Sequence, residues 1–184
     1  CYMYSGMADV AAQTHDTQLF NACKKIWDNI TSAKMYITGG IGSAYHSERF
    51  TIDGDLPNET AYSETCASIA LIFFAQRMFE IEKNSKYTDI IEKALYNTVC
   101  GSVSTDGMHF FYANSLEEYP PSRQYRLKYE GQKYAHSVRQ PWFDTACCPP
   151  NIARLFASLG SYVYSISQKE IFVNLYISST VNAE

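Results

Sequence analysis

Between Ile69 and Phe79 the chain reads IALIFFAQRMF, apolar nearly all the way round a helix. A helix without a polar face cannot lie on a surface and needs apolar neighbours on every side. Its unbroken apolar part, Ile69–Ala75, is far too short to cross a bilayer, so those neighbours must come from protein. Helical patterns flank it in abundance. Residues 2–13 carry one, and Asp16 or Thr17 can cap a second that runs to about Ile30. That second pattern places Leu19, Phe20, Cys23, Ile26, Trp27 and Ile30 on one face. The apolar helix itself is expected over Ala61–Glu82, and a further one over Tyr87–Val103 with Ile90, Ile91, Ala94, Leu95 and Val99 inward. Helical hairpins in series suit an α/α toroid or solenoid.

Strand signals come late. Asp106-Gly107 precedes an expected strand at Met108–Ala113, and Ile171–Ile177 reads as another. Pro149-Pro150 opens a helix expected to reach about Ile166. Residues 114–146 form a polar, Tyr-rich connection, a length that in a compact domain usually serves function. The turn Gly39-Gly40-Ile41-Gly42 lacks the spacing and the Lys of a phosphate loop, and is read as a tight turn bringing backbone near a pocket.

With 46% apolar and 18% charged residues and a formal charge of −4, the composition is that of a globular protein. It offers no basic stripe for nucleic acid, and no membrane segment is expected. Fifteen Tyr, ten Phe and two Trp are enough to build sugar-facing ring surfaces, and equally enough to fill a core. Six cysteines are too few and too scattered for a disulfide scaffold. Cys23 and Cys100 fall in apolar helical patterns and read as buried thiols. Cys66, Cys147 and Cys148 lie in polar, turn-like surroundings.

Zinc takes thiolate, imidazole or carboxylate ligands, four in a structural tetrahedron. Glu64-Thr65-Cys66 and, about eighty residues further on, Cys147-Cys148 offer such a set. Vicinal cysteines cannot both point one way from a regular helix or strand, but they can from a turn. Cys148 precedes Pro149, which favours extended geometry at Cys148 and a helix start just after it. Thiolates at a helix N-terminus are favoured over thiols. From residue chemistry alone, a metal site and a pair of inert buried thiols beside a surface Glu are both open. A nucleophile cleaving a glycoside also needs a proton donor, for which Glu48, Asp53 and Asp55 are available in the preceding loop.

The segments YITGGIGS (36–43), DLPNETAYSETCAS (55–68), HFFYANSL (109–116) and RQPWFDTACCPPNIARLFASLG (139–160), with SGMADVAAQT near the start, resemble glycoside hydrolase family 127, the β-L-arabinofuranosidases. The resemblance extends across nearly the whole chain. It implies a mainly α fold: part of an (α/α)6 barrel over residues 1–167, a few strands, and the beginning of a C-terminal β-sandwich over 168–184. It implies Zn2+ held by Glu64, Cys66, Cys147 and Cys148, with Cys147 as nucleophile, Glu48 as acid/base and Tyr112 as a substrate contact. The reaction implied is retaining cleavage of an arabinofuranoside-containing glycan through a thioglycosyl intermediate. An upstream stretch that completes the barrel and supplies histidines in the family is expected to lie outside this chain, which alone should have little activity. The resemblance leaves room for a homodimer, and unpaired thiols favour a bacterial cytoplasm. Three rivals stay open: a non-catalytic zinc-pinned helical module, a thiol hydrolase using His109 or His136, and a family relative acting on another furanose-like sugar.

Overall fold

A computed structural model describes residues 1–129 and 132–182. The architecture is mainly helical with few strands. Helix α1 (Tyr2–Thr14) ends at His15 in the left-handed conformation (φ 55°). Asp16 then caps α2 (Thr17–Ala33) by accepting from the Gln18 and Leu19 N–H groups, each at 2.9 Å. Cys23, Trp27 and Ile30 form the buried stripe of α2. Helix α3 (Thr65–Glu82) is the one without a polar face, and it is buried along most of its length. It packs on α1, α2 and α4 (Ser85–Lys93), with the Trp27 ring edge-on to Phe74 of α3 (5.7 Å) and to Tyr87 of α4 (4.8 Å). Asn84 caps α4. Helix α6 (Cys148–Ala157) adds Ile152 and Leu155 to the same core, after α5 (Pro120–Tyr129).

After Lys93 the α4 helix widens into a π-helical stretch, Ala94–Val99. The glycine turn sits against this widening. Gly39, at φ 83°, has the Ala94 Cα 2.7 Å from where a Cβ would stand, so only glycine fits. Thr98 donates to the Thr38 carbonyl at 2.9 Å, which joins the turn to the helix.

Several expected boundaries move. Helix α3 starts at Thr65 and not at Ala61, because Ser63 adopts φ 39° and breaks the path. Residues 108–113 are not a regular strand. Phe110 bridges Val103 on one side and Gln140 on the other, while Ala113 bridges Glu64, so no ladder propagates. The long connection contains α5, opened by Pro120-Pro121 through the same first-turn preference read at Pro149-Pro150. The helix from Pro149 stops at Ala157. A short α7 (Gly160–Val163) follows, and Tyr164–Ile166 becomes strand β1, paired antiparallel with β2 (Ile171–Val173). The expected division at 167/168 falls in the turn of this hairpin, and Phe172 packs edge-on against Phe79 at 5.7 Å. Cys100 is exposed, since the buried stripe passes through Thr98 and Val99 just before it. Among the described residues, no helix is long and apolar enough to cross a membrane.

Candidate metal centre

Beside the main core lies a second buried cluster of Tyr62, Cys66, Tyr112, Ala113, Phe143 and Cys148. Glu64 stands at the N-cap of α3 with extended backbone (φ −61°, ψ 136°), and its side chain makes no capping hydrogen bond. Cys66 follows in the first turn. Cys147 is the N-cap of α6, and Cys148 begins that helix. Both candidate pairs therefore sit where the chain enters a helix, on irregular backbone from which residues so close in sequence can converge. One ligand atom from each of Glu64, Cys66, Cys147 and Cys148 can be chosen so that all four lie within 4.8 Å of one another. Cys66 Sγ is 3.1 Å from Cys147 Sγ, too far for a disulfide. Glu64 Oε1 lies 3.5 Å from Cys147 Sγ and 3.8 Å from Cys148 Sγ.

The electrostatics of the cluster follow from its burial. Burial pushes the Glu64 carboxyl up to about 8, with the nearby Glu48 charge adding to the effect. Burial also pushes the Cys148 thiol up, with its hydrogen bond to Cys147 second. Cys147 moves the other way, down to about 5. The hydrogen bond from Cys148 is the largest cause, with contacts to the Tyr112 hydroxyl, Cys66 Sγ and Glu64 Oε1 adding to it. Burial and mutual repulsion thus set the members of the cluster apart, with Cys147 pulled down and Glu64 and Cys148 pushed up. A divalent cation at the centre would reverse this by favouring deprotonation of every ligand. Three sulfurs and one carboxylate oxygen are a donor set suited to zinc; the Glu64–sulfur separations of 3.5 and 3.8 Å match a tetrahedron of that kind, while the 3.1 Å Cys66–Cys147 pair would have to open.

A cleft of about 690 Å³ opens over the centre, lined by Glu48, Glu64, Cys66 and Cys147 together with Tyr2, Asn151 and Arg154. Glu48 ends a single 3-10 turn (His46–Glu48) inside a small loop closed by an Ala44–Arg49 bridge. The Tyr62 hydroxyl donates to its Oε1 at 3.4 Å. Tyr112 is buried, stacked on Tyr134 at 4.2 Å and edge-on to Phe143 at 5.3 Å, with its hydroxyl in hydrogen-bond reach of Cys147. Asp53 is drawn away to Lys34, 2.7 Å off, and to Asn29. Neither it nor Asp55 lines the cleft, and among the described residues neither does any histidine. His109 faces Asp106 at 3.6 Å instead. The sequence reading passed over Tyr62, Ser63 and Asn114. Only the adjacency of Tyr62-Ser63 to Glu64, and of Asn114 to Tyr112, could have marked them.

Fold and site together define a mainly helical domain with a thiol-rich candidate centre at the floor of a cleft. Residues 3–161 match the family model described as beta-L-arabinofuranosidase, GH127 catalytic domain, and the chain belongs to that family. It is 40% identical over 181 residues to a non-reducing end beta-L-arabinofuranosidase of Bifidobacterium longum subsp. longum, covering 97% of this chain and 27% of that protein. A GH127 beta-L-arabinofuranosidase from Geobacillus stearothermophilus T6 superposes with a TM-score of 0.88 at 48% identity, over 95% of this chain and 27% of its own. A second solved structure, a GH127 beta-arabinofuranosidase, gives 0.83 at 45%, over 95% and 25%. The chain thus spans about a quarter of the length of these relatives.

Proposed function

We propose that the protein containing this chain is a retaining glycoside hydrolase that releases L-arabinose from β-L-arabinofuranosides. The observation that carries this reading is the meeting of Glu64, Cys66, Cys147 and Cys148 within 4.8 Å, beneath a cleft that Glu48 also lines. Glu48, as the acid, donates its proton to the glycosidic oxygen while the Cys147 thiolate attacks the anomeric carbon. The carbon–oxygen bond breaks, a carbon–sulfur bond forms, and the aglycone leaves as an alcohol. Glu48, now a carboxylate, takes a proton from water, whose oxygen attacks the same carbon and returns Cys147 as thiolate. Tyr62 holds Glu48 through its hydroxyl, and the Tyr112 hydroxyl reaches Cys147. Zinc held by Glu64, Cys66, Cys147 and Cys148 would supply Lewis-acid charge that keeps the thiolates deprotonated.

Family membership and the high identities support the substrate class, and the donor set supports zinc. In the same reading residues 1–167 belong to an (α/α)6 barrel and 168–184 begin a β-sandwich. The test is metal analysis of the intact protein paired with L-arabinose release from a β-L-arabinofuranoside. About one equivalent of zinc is expected, with activity lost in Cys147→Ala. Active protein free of zinc, or an active Cys147→Ala variant, would refute the reading.

A further inference from the structure

Glu64 leaves from a backbone that has no local reason to hold its shape. Ser63 before it is fully buried at φ 39°, a conformation that a non-glycine residue keeps only when its surroundings over-determine it. Its N–H donates to the Gly42 carbonyl at 2.7 Å. Its Oγ occupies the space that a side chain on Gly40 would need, since a Cβ there would stand 2.0 Å away. Its carbonyl, the oxygen of the very peptide that joins it to Glu64, accepts from Asn114 Nδ2 at 2.8 Å.

The same Nδ2 donates to Thr65 Oγ1 at 2.9 Å, on the other side of Glu64. Thr65 Oγ1 in turn donates to the Phe111 carbonyl at 2.9 Å, and the Thr65 N–H to the Tyr112 carbonyl at 2.9 Å. The Asn114 N–H donates to the Tyr62 carbonyl at 3.0 Å. One amide side chain and its backbone thus hold Tyr62, Ser63 and Thr65, the residues around Glu64. They tie these to the segment that brings Tyr112 to Cys147.

We infer that Asn114 is a positioning residue for the centre: it sets where the Glu64 carboxylate stands, and through Tyr62 where Glu48 is held. This rests on the metal-centre reading above, and it concerns a residue that does not line the cleft and whose side chain bonds to Ser63, Thr65 and Tyr112. Removing the amide would leave the buried Ser63 carbonyl unpaired and free the peptide on which Glu64 pivots. The three thiols, anchored by α3 and α6, would stay in place.

The experiment uses the intact protein and compares wild type, Asn114→Ala and Asn114→Asp, the last keeping shape while losing both donors. Zinc affinity by chelator competition is expected to fall about 10- to 100-fold in both. The visible bands of the cobalt-substituted Asn114→Ala protein should shift towards those of Glu64→Gln. Turnover should fall in kcat with KM nearly unchanged. Thr65→Val, a milder change that removes the hydroxyl Asn114 holds, should move zinc affinity the same way and serves if the Asn114 variants do not fold. Ser115→Ala cuts a nearby tie to the Ala61 carbonyl and should leave zinc affinity unchanged. An Asn114→Ala or Thr65→Val protein with wild-type zinc affinity and cobalt spectrum would overturn the inference, whatever its Tm. So would a Ser115→Ala protein weakened to the same degree. Wild type that holds no zinc would sink the metal-centre reading and this inference with it. Wild type that holds zinc beside an unaltered Asn114→Ala would sink this inference alone.

Discussion

Glu48 and Ser63 share a property with only two other non-glycine residues among those described: a positive φ, 44° and 39° respectively. The other two, His15 and Lys83, end α1 and α3, where left-handed backbone is the ordinary way to close a helix. At Ser63 no helix ends, and at Glu48 only a single 3-10 turn does, so the conformation costs about 1–3 kcal/mol each and must be held from outside. Both lie at the candidate centre, where a fixed side-chain direction is useful. The Glu48 carboxylate is outside the group of four that could hold a metal. Glu48→Gln is therefore expected to retain full zinc while kcat falls by about 10²–10⁴, the range for loss of a general acid/base. Steady-state kinetics with zinc analysis on the same preparation checks this. A matching loss of zinc would instead make Glu48 part of the metal site.

At the level of elements, the corner between α3 and α4 shows how side chains lock two helices. Lys83 turns the chain, and the buried Tyr87 hydroxyl donates back to the Glu82 carboxylate. Lys86 at 3.5 Å and Lys24 of α2 at 3.9 Å complete the surroundings. The Tyr87 hydrogen bond, with the two lysines, holds the Glu82 carboxyl below its usual range. A folded-state value lower than the unfolded one adds stability that is present above the unfolded value, near pH 4.3, and is lost as pH falls through the folded value. Glu82→Gln should thus cost about 1 kcal/mol at pH 7, given partial exposure, and little at pH 3. Thermal melts followed by circular dichroism at both pH values test the sign. An equal loss at the two pH values would show that packing, and not charge, is at work.

Across the described residues the core is organised by α3, which packs directly on α1, α4 and α6, while α2 lies on α1 and reaches α3 through Trp27. Trp27, Phe74 and Tyr87 join α2, α3 and α4 at one point. Trp27→Ala should destabilise by about 3–5 kcal/mol through the cavity it leaves. Val10→Ala, on the outward face of α1 where the residue is 52% exposed, should stay within about 0.5 kcal/mol. Denaturant titration of the two variants side by side measures the contrast. α1 also exposes Tyr2 and Met3, and the β1–β2 hairpin exposes Ile166, Ile171 and Val173. The organisation around α3 sets α1, α3 and α6 side by side, so that the first turns of α3 and α6 open on the same cleft.

What the sequence determined by itself was local and periodic. The stripes of α2 and α4, the Asp16 cap and the burial of α3 follow from residues within one or two turns of each other. Motif resemblance carried the family, and it named Glu64, Cys66, Cys147 and Cys148 as ligands where residue chemistry had left the matter open. The start of α3 at Thr65 was not legible, because the φ of Ser63 depends on Gly40, Gly42 and Asn114, segments tens of residues apart. The late helix end and the β1–β2 pairing were hidden for the same reason, as Tyr164–Ile166 is a strand only by virtue of its partner. Only the tertiary structure brought Cys66 and Cys147, 81 residues apart, to 3.1 Å, and set Asn114 across the backbone that carries Glu64. Periodicity records which face of an element is buried. Which element lies against that face, and which amide reaches which carbonyl, is decided when the chain closes on itself.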